Sequence, residues 1–263
     1  MKLLFLHLMA LQEEFTSQGV WLFRYRGTAP LLMLIAGLGV YLNGKLNPSH
    51  LSAGEGLPEM YFELICLFVS ILGLLVRIYT VGHTPKNTSG RNVKKQIADV
   101  LNTTGSYSVV RHPLYVGNFL MWLGPALLTG NLWFMALFIL LYWLYYERIM
   151  FAEEQYLRNK FGETYLTWSE QVPAFIPNLK RFTRSDRPFS WRKILLKEKN
   201  GVAAMFLVFM IFDVAGELIR DQSNFNWVFI AGTAVSILFY IVLTLIKRRT
   251  NWLSVKPGED RTK

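Results

Sequence analysis

A single cysteine, Cys66, in a chain of 263 residues excludes an intrachain disulfide framework and leaves the redox compartment open. Four scattered histidines with that one cysteine support no metal site. Charged residues are also scarce, at 17% against roughly a quarter in soluble domains. No internal repeat or low-complexity tract is present. What fills the chain instead is apolar sequence, 52% of it, gathered in blocks of membrane-spanning length. The chain therefore reads as an all-α, polytopic membrane helix bundle.

Six spans are expected, at Thr28–Asn43, Met60–Val81, Leu114–Thr129, Leu132–Met150, Val202–Ile219 and Trp227–Ile246. The first eleven residues lack a basic leading region and a small-residue cleavage site, so they read as a retained interfacial helix. The net charge of +10 could suggest nucleic acid, but its placement argues against that partner. Arg and Lys number 3 in residues 1–27, 5 in 82–113, 11 in 147–200 and 6 in 247–263, which is 25 of 28 in total. All four segments fall on one side of an alternating six-span topology. The positive-inside rule makes that side cytoplasmic, with both termini on it. The sequence leaves the oligomeric state open.

Between Gly105 and Asn118 the chain reads Gly-Ser-Tyr-Ser-Val-Val-Arg-His-Pro-Leu-Tyr-Val-Gly-Asn. A hydrophobic hairpin, Leu114 to Met150, turns at Gly130-Asn131 and returns the chain to Glu153-Glu154. Both polar clusters are thus expected on the same side. After the hairpin, Glu153 to Glu170 reads as an amphipathic helix broken or bent at Gly162 and stopped at Val172-Pro173. A basic linker, Lys180 to Lys199, follows. Arg77 is close enough to its span's end to reach the interface.

Two acids and two aromatic faces, Tyr107 and Tyr115, suit a cation. Arg111 and His112 suit a carboxylate. S-adenosylmethionine carries both kinds of group, and the lipid edge of a hairpin would exclude water from methyl transfer. The same residues could equally cap a span at the headgroups, with Pro113 in its first turn. Asp213 and Glu217 share a helical face inside the fifth span. They would serve a transporter or scaffold, or else face the bundle near its outer end with Arg220 as partner.

The stretch from Asn102 to Asn118, with Asn131, Glu153-Glu154, Phe161-Gly162-Glu163-Thr164-Tyr165 and Val172-Pro173, resembles the isoprenylcysteine carboxyl methyltransferase and phospholipid methyltransferase family. The resemblance covers about residues 75–178. It implies a methyltransferase core there, after N-terminal spans in 1–74 and before a linker and a final pair of spans in 179–263. It implies S-adenosylmethionine as cofactor and a lipid or lipidated acceptor, with the site on the cytoplasmic side. Asn92, Asp99, Val100, Leu101, Asn102, Tyr107, His112, Pro113, Leu114, Tyr115 and Glu153 would line the cofactor, and Arg111, His112, Glu153 and Glu154 would be catalytic. A sterol-reductase-like enzyme with a nicotinamide cofactor looks similar around Arg-His-Pro. Glu153-Glu154 weighs against that cofactor's phosphates. One departure stands out. Prenylcysteine enzymes carry a substrate-contacting arginine four residues before the first acid, where this chain has Ile149. Arg148 falls on another helical face, so Ile149 suits a neutral or amine-bearing lipid acceptor.

Overall fold

The computed structural model describes residues 10–47, 54, 56–85, 98–250 and 252–253. These form eight α-helices, and no strand occurs among the described residues. The helices are α1 (Leu11–Arg24), α2 (Ala29–Leu46), α3 (Glu59–His83), α4 (Pro113–Leu128), α5 (Leu132–Phe161), α6 (Glu163–Ser169), α7 (Trp191–Ile219) and α8 (Trp227–Arg249). Most of the proposed interfacial helix at the N-terminus, residues 1–9, lies outside the described residues.

Four helices, rather than the six expected, are long and apolar enough to cross a membrane: α3, α5, α7 and α8. The other two expected spans fold as apolar helices but are short. The 16 residues of α4 rise only about 24 Å at 1.5 Å each, below the roughly 30 Å of a hydrocarbon core. His112-Pro113 begins α4 and Gly130-Asn131 follows it, so the chain has no further turn to add. At the turn, the Asn131 side chain accepts the Phe134 N–H at 2.9 Å and caps α5. α5 runs unbroken to Phe161, past the expected end at Met150, and the break then comes at Gly162 as expected. Its φ of +53° is a backbone state that a Cβ disfavours.

The most extensive helix contact joins α3 to α4 through small residues. A Cβ on Gly124 would meet Ser70 Oγ at 2.1 Å and the Cys66 carbonyl at 2.5 Å. This close backbone approach is typical of helix pairs in lipid, where packing rather than water exclusion drives association. Ser70 uses it to donate to the Met121 carbonyl at 2.9 Å. α7 and α8 pack together, and α7 closes against α3. The expected basic linker is shorter than the sequence suggested, because its second half, from Trp191, is the start of α7. Lys193 and Lys199 are buried there and bonded to Thr84 and Thr244. Arg77 does not reach outward. It makes a two-pronged pair with the buried Glu198 of α7, at 2.9 and 2.8 Å, and donates to Asn118 of α4. A guanidinium paired inside the bundle avoids the cost of an isolated charge.

Candidate active site

The start of α4 and the far end of α5 meet as the hairpin predicts. His112 stands just before Pro113, whose fixed φ and missing N–H suit the first helical turn. The buried His112 ring lies between the two acids: Nε2 is 2.9 Å from Glu154 Oε1 and Nδ1 is 3.6 Å from Glu153 Oε2. The Tyr115 hydroxyl donates to Glu153 Oε1 at 2.9 Å, and the Tyr115 ring stacks on His112. Arg111 Nε approaches Glu154 at 3.2 Å as a charge contact without hydrogen-bond alignment. Burial alone would lower the His112 pKa. Hydrogen bonds and charge from Glu153 and Glu154 outweigh it and leave the imidazole above its ordinary value. Both carboxylates remain about a quarter exposed, at 24% and 23%.

Tyr107 approaches the acids from the loop before α4. Burial first, then the charge of Glu153, raises its phenol pKa, so it remains an O–H donor. Tyr107 and Asn102 line a narrow polar cleft with Thr80, Ser106 and Asp186. Pro113 is fully buried and Leu114 is half-buried. Asp99 and Val100 stand in an exposed bend, and Leu101 is half-buried after it. No helix forms at 98–101, and Asn92 lies outside the described residues.

The sequence reading missed the strap over this site. The residues after Val172 run against the Arg-His-Pro loop: Arg111 N–H donates to the Pro173 carbonyl at 2.8 Å and His112 N–H to Ala174 at 3.2 Å. Asn178 N–H donates to Val109 at 2.9 Å, and Gly105 N–H to Thr183 at 3.0 Å. Pro173, expected as a helix stop, also favours, together with Pro177, the extended backbone that such a strap needs. Below it, the Tyr165 hydroxyl lies near Glu154 and Arg111 but is buried with no hydrogen-bond partner among the described residues, as is Trp168 Nε1.

Ile149 does not face an acceptor. It is completely buried with Phe23, Tyr115, Tyr142 and Tyr146, so it cannot set headgroup preference as the sequence suggested. Arg148 lies over the Phe15 ring of α1 at 3.4 Å and pairs with Glu147. Asp213 and Glu217 sit at the opposite end of the bundle. Glu217 pairs with Arg220 and accepts the Asn224 N–H at 2.9 Å, while Asp213 accepts the Asn226 N–H at 3.0 Å. They thus tie down the α7–α8 turn.

These features define an integral-membrane helix bundle with an acid–histidine–tyrosine site at one end. Residues 64–164, which contain that site, match the phospholipid methyltransferase family model. The chain is 39% identical over 84 residues to the protein-S-isoprenylcysteine O-methyltransferase of Schizosaccharomyces pombe, covering 32% of this chain and 36% of the relative. Against the Saccharomyces cerevisiae protein of the same name it is 35% identical over 115 residues, or 43% and 47% of the two chains. It is 37% identical over 126 residues to the nickel-cobalt-cadmium resistance protein NccN of Alcaligenes xylosoxydans xylosoxydans, or 47% and 55%. The chain thus spans about a third to a half of these relatives' length. No solved structure matches it.

Proposed function

We propose that this protein is an S-adenosylmethionine-dependent membrane methyltransferase acting on a lipid or prenylated acceptor at the cytoplasmic face. The proposal includes cytoplasmic termini, a core at 75–178, and flanking helical regions at 1–74 and 179–263. The observation that carries it is the clamp of Glu153 and Glu154 on His112, inside the segment that matches the family. The charge split of the basic residues supports the orientation when the shorter α2 and α4 are counted as crossing helices.

The donor set fits the cofactor. Two partly exposed carboxylates suit its ammonium, and the buried Tyr165 O–H and Trp168 N–H offer donors to a polar ligand. Bound there, S-adenosylmethionine would supply an electrophilic methyl group on a sulfonium, ready for in-line displacement. Glu153 holds the ammonium, and the Tyr115 hydroxyl fixes the orientation of Glu153. His112 keeps the two acids apart, and Glu154 with Arg111 fixes the ring. Tyr107 and Asn102 extend the pocket along the cleft, with Asp99, Val100 and Leu101 as its outer wall. Pro113 and Leu114 set where α4 begins. The strap from Pro173 to Thr183 excludes water, and the α4–α5 hairpin brings the acceptor from lipid.

Glu153→Gln tests the reading. Leaving an ammonium unpaired in a partly desolvated site should cost about 2–5 kcal/mol. Calorimetry should therefore show S-adenosylmethionine binding weakened by at least about tenfold. Unchanged affinity would remove Glu153 from the site.

A further inference from the structure

The strap that crosses the site carries a second surface. From Gln171 to Ser185 it holds no acidic residue but three basic ones, Lys180, Arg181 and Arg184. All three are exposed, and no carboxylate pairs with any of them among the described residues. Interleaved with them are large apolar side chains that are just as open: Ile176 is 80% exposed, Leu179 76% and Phe182 53%. In water such a run would leave a contiguous apolar patch uncovered. The depth of the strap accounts for it. Phe175 packs edge-on against Trp143 of α5 and Phe119 of α4, with ring centres 5.5 and 5.8 Å away. Trp143 lies about 10 Å along α5 from Met150, inside the apolar stretch of that helix. Phe182 lies 6.3 Å from Tyr79 near the end of α3, and the Ser190 N–H donates to the Gly82 carbonyl at 2.9 Å. The strap therefore runs where the spans leave the hydrocarbon, with Phe175 dipping below that level.

We propose that the strap is a docking surface for anionic lipid headgroups of the surrounding membrane. Ile176, Leu179 and Phe182 enter the boundary of the acyl chains, and Lys180, Arg181 and Arg184 hold the phosphates. This surface goes beyond methyl transfer and does not depend on it. Long cations among apolar groups suit a segment lying in the membrane plane, because their stems cover apolar surface while their heads stay in the headgroup layer. Each Lys or Arg near an anionic surface strengthens attachment by about fivefold, so the three together hold the strap down only where anionic lipid is present. The neighbouring helices already cross the membrane, so the strap meets the headgroups at high effective concentration. Docking reaches the site through the backbone. The strap accepts the Arg111 and His112 N–H groups at Pro173 and Ala174, and its Asn178 N–H donates to Val109. A strap held on lipid thus keeps the Arg-His-Pro loop in place beside Glu153 and Glu154.

The test uses the full chain in phosphatidylcholine nanodiscs with increasing fractions of phosphatidylglycerol, read by hydrogen exchange. Exchange of the backbone amides between 174 and 183 should slow by at least about tenfold as phosphatidylglycerol is added, while the α7–α8 turn stays unchanged. Lys180→Gln, Arg181→Gln and Arg184→Gln combined should remove that slowing without shifting the unfolding temperature, since exposed charges contribute little to folding. A nitroxide on Leu179→Cys gives a reading on the unaltered charges, with the buried Cys66 shielded from the label. It should be relaxed more by oxygen dissolved in the lipid than by a water-soluble nickel chelate. Equal exchange in neutral and anionic discs, slowing that survives the triple substitution, or a nitroxide relaxed mainly by the chelate would overturn the docking surface. Slowing by a soluble polyphosphate but not by phosphatidylglycerol would overturn it in favour of a soluble polyanion. Failure to bind S-adenosylmethionine in any disc, with the slowing intact, would instead overturn the methyl-transfer reading and leave this surface standing.

Discussion

The bundle carries a pair of acids at each end, and the two pairs are treated differently. Asp213 and Glu217 are 3% exposed and are closed by groups that cannot leave: the backbone N–H groups of Asn226 and Asn224, and Arg220 one helical turn away. Glu63 of α3 joins them by accepting the Asn226 side-chain N–H at 2.8 Å. Glu153 and Glu154 are about a quarter exposed, and their partners are the side chains of His112, Tyr115 and Arg111. A carboxylate satisfied by backbone amides is part of the scaffold. One held by side chains, with a face left open, can exchange a partner for a ligand.

The largest expected effect separates the pairs by stability. Glu217→Leu leaves Arg220 with only the more exposed Glu59 and strands the Asn224 N–H, and breaking such a buried pair costs about 3–5 kcal/mol. Thermal unfolding in detergent should show that loss, whereas Glu153→Gln should change stability by less than about 1 kcal/mol. Comparable destabilisation by both would erase the distinction between scaffold and site.

The two ends also differ in how much the sequence disclosed. His112, Pro113, Tyr115 and Glu153 were legible because a hairpin with a Gly-Asn turn has few ways to fold, and it returns Glu153 to the level of His112. Arg220 was legible as the partner of Glu217 because three residues make neighbours on a helix. Glu63 and Asn226 were not, since their bond joins residues 163 apart and no periodicity encodes it. The same limit hid the Arg77–Glu198 pair and the strap from Pro173. Span number was misread because apolar composition was visible while helix length was set by His112-Pro113 and Gly130-Asn131.

A smaller effect probes the open pair from within. Tyr115→Phe keeps the ring on His112 and removes only the hydroxyl that holds Glu153, a hydrogen bond to a charged group worth about 1.5–3 kcal/mol. Glu153 keeps its contact with His112, so the lower end of that range is expected. S-adenosylmethionine affinity should fall roughly tenfold in calorimetry, and the unfolding temperature should drop by about a few degrees. Unchanged affinity would show that Glu153 is oriented by His112 alone.

The smallest effect is in pH. It belongs to the open pair, which surrounds His112. Its folded-state pKa is raised above the ordinary 6.5. A raised histidine binds its proton more tightly folded than unfolded, so it stabilises the protein fully below the unfolded value, and that contribution fades as pH rises through the folded pKa. Stability should therefore decline from just above pH 6.5 upward. The decline is bounded by about 1.4 kcal/mol for each pH unit of the rise in pKa. Unfolding midpoints measured across neutral pH on the unmodified protein and on His112→Asn should separate it, because the variant has no imidazole at that position and its curve should lose this slope. If both curves fall alike above neutrality, the proton between Glu153 and Glu154 is not linked to folding. The clamp would then be held by neutral hydrogen bonds rather than by an imidazolium.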